Sequence, residues 1–389
     1  MRSLTFLRGY DFGKFILQKL SMLTRHFLYT IITFSLISCI KEDSPNDPPL
    51  DETRVEITSR ILTSNLNFPW EILWGPDNMI WITERQGRIS RIDPATGTTT
   101  PLATIDEVVS TGEGGLLGMA LYPLFTQPSN VYVAYDYMKS DTYTGKVVRY
   151  DYNNGALSNP FVIIDDLKAA GIHNGCRLVI SADEKLFIST GDASDQSTSQ
   201  NFSSLNGKIL RVNLDGSIPA DNPDPASPVW TLGHRNAQGL VFVNDSLFSS
   251  EHGPDSDDEV NIIHRASNYG WPEVRGRCEG SESDFCNTNH IVEPIMNWTP
   301  TIAVCGIDYY TQDLIPQWKN SILMCTLKNA RLVQLNLSDD QKRIDSTTDY
   351  FVDQYGRLRD ICISPEGKVF LCTSNGGNED VIVEVTRIN

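Results

Sequence analysis

The chain has 389 residues, a formal net charge of −17 and 40% hydrophobic residues. That acidity argues against nucleic acid as a partner, whose binding needs a basic face, and the apolar content excludes disorder through the bulk of the chain. A small anionic ligand is not excluded, because a few local arginines can override the global charge.

At the N-terminus, Arg25 and His26 precede an apolar run from Phe27 to Ile37, too short to span a bilayer as a helix. It closes in Leu36-Ile37-Ser38-Cys39, which resembles a bacterial lipobox, with Cys39 as the lipidated first residue of the mature chain. The plain alternative is a secretory signal with a coincidental cysteine. Met22 would give a more usual signal length, so residues 1–21 read as an upstream extension. Residues 40–53, rich in Asp, Glu and Pro, read as a tether. The expectation is an exported lipoprotein of the bacterial outer membrane, periplasmic or surface-facing, that meets the membrane only through its lipid. Of eight cysteines, Cys39 leaves seven in an oxidising compartment. Cys278 and Cys286 bracket a polar loop and form the candidate disulfide. Cys176, Cys305, Cys325, Cys362 and Cys372 cannot be paired from sequence, and no Cys-x-x-Cys suggests zinc or attached haem.

From residue 54 onward the pattern is strand, turn, strand. Glu71 to Trp74, Ile80 to Thr83 and Arg88 to Ile92 form a meander punctuated by Gly75-Pro76-Asp77-Asn78 and Gln86-Gly87. The phrase "turn, apolar strand, small residue, polar loop" recurs at 181–192, 243–250, 317–324 and 364–373. Copies spaced by roughly 45–75 residues suit four-stranded propeller blades, about six over residues 54–389. The fold predicted is therefore an all-β, six-bladed β-propeller of antiparallel blades; an irregular sandwich is the coarse alternative. Polar residues that follow the apolar strands would gather at one mouth of the central channel. That set is His173, Asp192, Arg235, His252, Lys328 and Arg357.

Three constellations carry chemistry. Gly171-Ile172-His173-Asn174-Gly175 holds a histidine in a permissive turn, placed to act as a base. Thr231 to Glu259 sets His234-Arg235-Asn236 and Glu251-His252-Gly253-Pro254 on either side of one short strand. Its arginine and asparagine are directional donors, its Gly-Pro step frees carbonyls, and the acidic run Asp255 to Glu259 follows at once, which together suit a ligand site with a hard cation nearby; two surface turns around a strand are the plain reading. Arg357-Leu358-Arg359 puts two guanidinium groups on one strand face, where they want carboxylates; ordinary ion pairs with Asp353 or Asp360 are the plain reading.

These stretches resemble the soluble quinoprotein glucose dehydrogenase and aldose sugar dehydrogenase family. The likeness runs from about Leu66 to Thr386. It is carried by Trp74-Gly75-Pro76-Asp77, Thr83-Glu84-Arg85, Gly114 to Ala120, His173 to Leu178, Gly207 to Gly216, Gly233 to Gly239, Glu251 to Asn261, Asn268 to Pro272 and Gly356 to Asp360. The resemblance implies a six-bladed propeller that holds pyrroloquinoline quinone through calcium and oxidises aldoses to lactones, passing electrons to an external acceptor. It implies His173 as base, Asp192 as its partner and Arg235 as the stabiliser of growing charge. It implies cofactor contacts from Glu113, Asn236, His252, Thr301, Lys328, Arg357 and Arg359. Gly253 and Pro254 would give carbonyls to the bridging calcium, and Glu259 and Tyr269 would serve a second ion. The chain departs from the glucose dehydrogenase pattern at Glu113, Ile172, Ser197, His252, Ala303 to Gly306 and the short loop 275–293, which bears on sugar specificity and dimerisation. A monomer or weak dimer is expected. The rival readings are a non-catalytic propeller that binds carbohydrate or protein, and a calcium-dependent lactonase.

Overall fold

The second strand of each blade explains why the chain folds as it does. Ile80–Glu84, Lys185–Thr190, Ser246–Glu251, Ser321–Thr326 and Val369–Thr373 are buried along almost their whole length. A strand covered on both faces is apolar throughout, and here each face packs on a neighbouring blade. The outermost strands touch that core only at its edge, through partly buried residues such as Leu102, Ile344 and Tyr350. Neither Thr99–Thr104 nor Ile344–Tyr350 has a fully buried residue; both are rich in threonine, and the second carries two aspartates.

A computed structural model describes residues 54–123, 129–153 and 155–388. The signal segment, Cys39 and the tether 40–53 lie outside the described residues. The described chain forms six four-stranded antiparallel sheets arranged as the six-bladed propeller expected from the repeat. Blades 1 to 5 take residues 69–104, 116–168, 175–232, 237–298 and 304–350 in order. Blade 6 combines Leu358–Ile363, Val369–Thr373 and Asp380–Arg387 with Ile57–Leu66, the first strand of the chain. Ile57 lies opposite Arg387 and Leu66 opposite Asp380, so the N-terminal strand closes the ring. This closure was not legible in the repeat. Nor was the short helix Ser283–Asn289 in blade 4, which sits beside a disulfide between Cys278 and Cys286. The five other described cysteines are free and buried.

All six inner strands share one irregularity. Their register with the second strand slips near the start, at Pro69/Ile72, Leu116/Met119, Gly175/Leu178, Ala237/Gly239, Val304/Ile307 and Leu358/Asp360. A bulge leaves a backbone group without its ladder partner and re-aims side chains. Hydroxyls on the second strands repair the first effect. The Thr83 hydroxyl accepts from the Glu71 N–H at 3.1 Å and donates to the Leu117 carbonyl of the next blade at 2.7 Å. Ser189 does the same between Arg177 N–H (2.9 Å) and the Ala237 carbonyl (2.9 Å). Ser250 donates to the Cys305 carbonyl.

The second effect fills the channel. Arg177 reaches across the axis to Glu71 at 2.6 Å and Asp360 at 2.8 Å, with its guanidinium 4.3 Å from the Trp70 ring centre. All three ionisable groups are buried. Glycine supplies the clearance: a Cβ on Gly118 would overlap the Cys176 carbonyl, and one on Gly306 would overlap the Asp360 carboxylate. Gly118→Ala should therefore cost about 3 kcal/mol or more through overpacking against fixed backbone. Urea unfolding checks this, with Gly171→Ala as the control, because nothing lies within 4 Å of a Cβ there.

Candidate functional site

Two sets of loops meet at the face where the inner strands begin: those that precede an inner strand and those that follow a second strand. His173, Arg235, Asn236, Thr301 and Arg357 come from the first set, and Asp192, His252 and Lys328 from the second. Backbone bonds lock the two sets together. The Asp192 N–H donates to the Arg235 carbonyl at 2.8 Å, Ala193 N–H to the His173 carbonyl at 3.0 Å, and His252 N–H to the Asn236 carbonyl at 3.2 Å. Residues distant in sequence thus become immediate neighbours.

His173 has φ 62°, a left-handed conformation that non-glycine residues adopt only when the surroundings enforce it. A Cβ at Gly191 would overlap the His173 carbonyl, so the turn is glycine-dependent. The imidazole Nδ1 lies 2.8 Å from Asp192 Oδ1, and the second carboxylate oxygen accepts from Trp271 Nε1–H at 3.0 Å. Ser194 N–H also donates to Asp192, at 2.9 Å. The carboxylate orients the ring with Nδ1 towards Asp192 and Nε2 turned away from it. Asp192 is fully buried, whereas the His173 side chain keeps 15% exposure.

The cations beside this pair have no carboxylate partner. Among the described residues, none of Arg85, Arg235, Lys328, Arg357 and Arg359 forms an ion pair. The plain reading of Arg357 and Arg359 as partners of Asp353 or Asp360 is not what forms, because Asp360 is taken by Arg177. Instead Arg359 Nη1 donates to Gln238 Oε1 at 2.8 Å and to Cys305 Sγ at 3.2 Å. Arg357 Nε donates to the Ser374 carbonyl at 3.2 Å. Lys328 Nζ lies 3.4 Å from the Thr301 hydroxyl. Arg235 Nη1 donates to the His252 carbonyl at 3.2 Å, and its guanidinium stands 5.3 Å from the Trp271 ring centre. Burial, then the charge of Arg359, lowers the pKa of Arg85 and of Arg357; burial also lowers that of Arg235. His252 is pushed down to about 3 by burial, then by Arg359 and Arg235, so it is a neutral ring. Buried N–H and ring nitrogens without any partner remain at Arg85 Nε, Arg235 Nε, Asn236 Nδ2, His252 Nε2 and Arg359 Nε. Unpartnered buried atoms occur elsewhere in the described chain too, but these five fall on residues gathered at this one mouth, which points to a ligand surface. Glu113 borders it, accepting weakly from the His173 N–H at 3.4 Å.

Gly253, Pro254, Glu259 and Tyr269 share a cavity of about 10 Å³ with Arg235 and Glu251, room for one water or ion. Burial, then the charge of Glu251, pushes Glu259 up to about 8. Its oxygens accept from Gly276 N–H at 2.9 Å and Asn261 Nδ2 at 3.0 Å. The Tyr269 hydroxyl is fully engaged, donating to the Ile262 carbonyl at 2.7 Å and accepting from His264 N–H at 2.8 Å. Only its carbonyl remains for a cation. Asp258 shapes the loop, taking the N–H groups of Gly253, Ile302 and Ala303 at 2.9, 2.7 and 2.6 Å. Among the described residues no cluster of three His, Cys, Asp or Glu side chains could hold a metal. A cation here would depend on backbone carbonyls. Ser197 turns away to Asp195 at 2.6 Å.

The sequence reading gave no role to Arg85, Trp271, Glu251 or Gln238. Arg85 was within reach, since it follows a second strand just as Asp192, His252 and Lys328 do. Its guanidinium lies 4.1 Å from the Phe68 ring centre and donates to the Gly112 carbonyl at 2.6 Å. Trp271 and Glu251 show their importance only through partners far along the chain. Glu251 accepts from the Arg235 and Asn236 backbone N–H groups and from buried His234 at 2.9 Å.

A family model described as glucose / sorbosone dehydrogenase matches residues 66–383. Quinoprotein glucose dehydrogenase B of Acinetobacter calcoaceticus is 28% identical, over 92% of this chain and 95% of that protein. Aldose sugar dehydrogenase YliI of Escherichia coli is 28% identical, over 83% of this chain and 91% of its own length. Among solved structures, the PQQ-bound form of an aldose sugar dehydrogenase from Streptomyces coelicolor superposes with a TM-score of 0.73 at 32% identity, covering 85% of this chain and 98% of that one.

The loop that carries Glu113 rests on Asp136, whose carboxylate accepts from Gly115 N–H at 3.1 Å and the Tyr143 hydroxyl at 3.3 Å. Burial pushes Asp136 from 3.8 up to about 7. A carboxyl raised in the folded state favours folding below its unfolded pKa and loses that contribution as pH rises through its folded pKa. Stability should accordingly fall between about pH 4 and pH 7. In Asp136→Asn that fall should flatten, as read from denaturation midpoints across the window.

Proposed function

Because the chain belongs to the glucose / sorbosone dehydrogenase family, we propose that it oxidises the anomeric carbon of an aldose to the lactone, with pyrroloquinoline quinone and calcium as its cofactors. The observation that carries this reading is the oriented pair His173–Asp192 set beside five buried, unpartnered nitrogen atoms. A tricarboxylated planar quinone fits that surface, because Arg85, Arg235, Lys328, Arg357 and Arg359 offer charge with no internal counter-ion. Neutral His252 and the free amide of Asn236 would contact its polar edge. Thr301 and Glu113 complete the rim.

His173 takes the anomeric hydroxyl proton on Nε2, while Asp192 holds Nδ1–H and supports the imidazolium that forms. Trp271 fixes the second Asp192 oxygen, so the base cannot swing. Arg235, desolvated and braced by Glu251 through its backbone, stabilises the negative charge that grows next to the base. When bound, the quinone would accept the hydride from C1 and the calcium, on the Gly253 and Pro254 carbonyls, would act as Lewis acid. A second cation would suit Glu259 beside the Tyr269 carbonyl. An external acceptor then removes two electrons for each lactone formed.

The described chain enters at Arg54 on the face opposite this mouth, where Ile57 pairs with Arg387. The entering strand therefore leaves the site clear. We place the mature protein outside the cytoplasm as an outer-membrane lipoprotein anchored by Cys39, a monomer or weak dimer.

Apo-protein mixed with calcium and the quinone should reduce an artificial dye when given aldoses. Neither binding nor dye reduction across a panel of mono- and disaccharides would end the proposal. His173→Ala should lower turnover by about 10²–10⁴-fold, the usual loss for a general base, while cofactor affinity stays nearly unchanged. Steady-state rates and calorimetric titration separate the two effects.

A further inference from the structure

We propose that Gln238 is a positioning residue that aims the Asn236 amide and the Arg359 guanidinium at the anionic cofactor. The inference rests on the reading of the mouth as a quinone site and assigns a residue which that reading leaves unused.

Gln238 lies at the inner-strand bulge of blade 4, between Ala237 and Gly239, and is buried. Its Oε1 accepts from Arg359 Nη1 of blade 6 at 2.8 Å. Its Nε2 donates to Asn236 Oδ1 at 2.9 Å. The same Asn236 oxygen accepts from the Gly175 N–H of blade 3 at 3.1 Å. The Gln238 carbonyl accepts from Arg177 Nε at 2.8 Å, which ties it to the charged floor of the channel.

The direction of both amides follows from the chemistry of the end groups. A guanidinium only donates, so Gln238 must face Arg359 with its oxygen. A backbone N–H also only donates, so Asn236 must face Gly175 with its oxygen. Those two constraints agree only in one arrangement, with Gln238 Nε2 on Asn236 Oδ1. Turning either amide would set donor against donor. Asn236 Nδ2 is thereby forced to the opposite side, where it is buried and has no partner. Arg359, held at Nη1, keeps its Nε buried and free as well. One glutamine thus fixes two donors of the ligand surface from beneath, without reaching that surface itself.

Gln238→Met keeps length and approximate volume but removes both polar contacts. Asn236 then keeps only Gly175, and Arg359 only Cys305. The experiment titrates apo-protein with pyrroloquinoline quinone and calcium by calorimetry. Gln238→Met should bind about 10–100-fold more weakly, the usual loss when an outer partner of a binding group is removed. The aldose KM at saturating quinone should stay within about 2-fold. Because Gln238 acts partly through Asn236, Gln238→Met should cost a smaller factor in an Asn236→Ala background than in the native one. A purely structural role would give the same factor in both. Circular dichroism and thermal unfolding of the apo forms establish that each variant is folded. If Gln238→Met does not fold, Gln238→Leu removes the same two contacts without adding charge, and it too should weaken binding. Native affinity in a folded variant, or equal factors in the two backgrounds, overturns the proposal. Failure of the unmutated apo-protein to bind the quinone brings down both this inference and the function on which it rests.

Discussion

Arg177 is the group on which the centre of this molecule depends. It starts in blade 3, crosses the axis and meets Glu71 of blade 1 and Asp360 of blade 6 with no water-exposed side. A guanidinium buried with carboxylates holds only if every partner is in place, and removing one leaves an uncompensated charge worth about 3–5 kcal/mol. The pair also completes the backbone, since Asp360 accepts from Ile72 N–H at 2.8 Å and Glu71 from Met119 N–H at 3.3 Å. Burial raises Glu71 well above the usual carboxylate range, against the pull of Arg177. The consequence is geometric: the channel has a floor, and the mouth above it is a pit.

That floor decides which charges remain available above it. Asp360 is the nearest carboxylate along the chain from Arg357 and Arg359, and it is already committed to Arg177. The two arginines are left to backbone carbonyls, Gln238 and a thiol. Burial, and then the charge of Arg359, depresses the pKa of Arg85 and Arg357, and burial with Arg359 and Arg235 keeps His252 neutral. The same bulges that free backbone groups at the axis turn Gln238 and Arg359 inward. Structural repair and ligand recognition are therefore built from one irregularity repeated six times.

Much of this was legible in the chain because a propeller repeats. The turn–strand–polar-loop phrase at 181–192, 243–250, 317–324 and 364–373 marks second strands, and the polar residue one or two positions after a second strand lands at the mouth. Asp192, His252 and Lys328 follow from that rule, and so does Arg85. Ring closure by Ile57–Leu66 was not legible, because a fourth strand borrowed from the other end of the chain leaves no local signature. The unpaired cysteines also needed the register. Cys325 and Cys372 precede residues paired with the starts of their inner strands, the same place held by Thr83, Ser189 and Ser250. They are thiols in the hydroxyl positions of the repeat, each facing a different blade junction. Partners such as Trp271 and Glu251 act on residues brought near only by folding, so no spacing could announce them.

The formal charge of −17 and the cationic pit are compatible for a physical reason. At physiological ionic strength the Debye length is about 8 Å, so exposed carboxylates around the rim of a molecule this size are largely screened from a ligand at the mouth. Inside the pit the screening fails, because Arg235, Asn236, His252 and Arg359 are desolvated and water no longer competes for their nitrogen atoms. Long-range steering thus contributes little to the capture of an anion, and contact energy contributes most. A guanidinium that lacks an internal partner is costly to keep folded, and an anionic ligand relieves that cost only when it sits within hydrogen-bond reach. A single carboxylate could relieve one arginine, whereas a group with several acceptors could relieve more than one of Arg85, Arg235, Arg357 and Arg359.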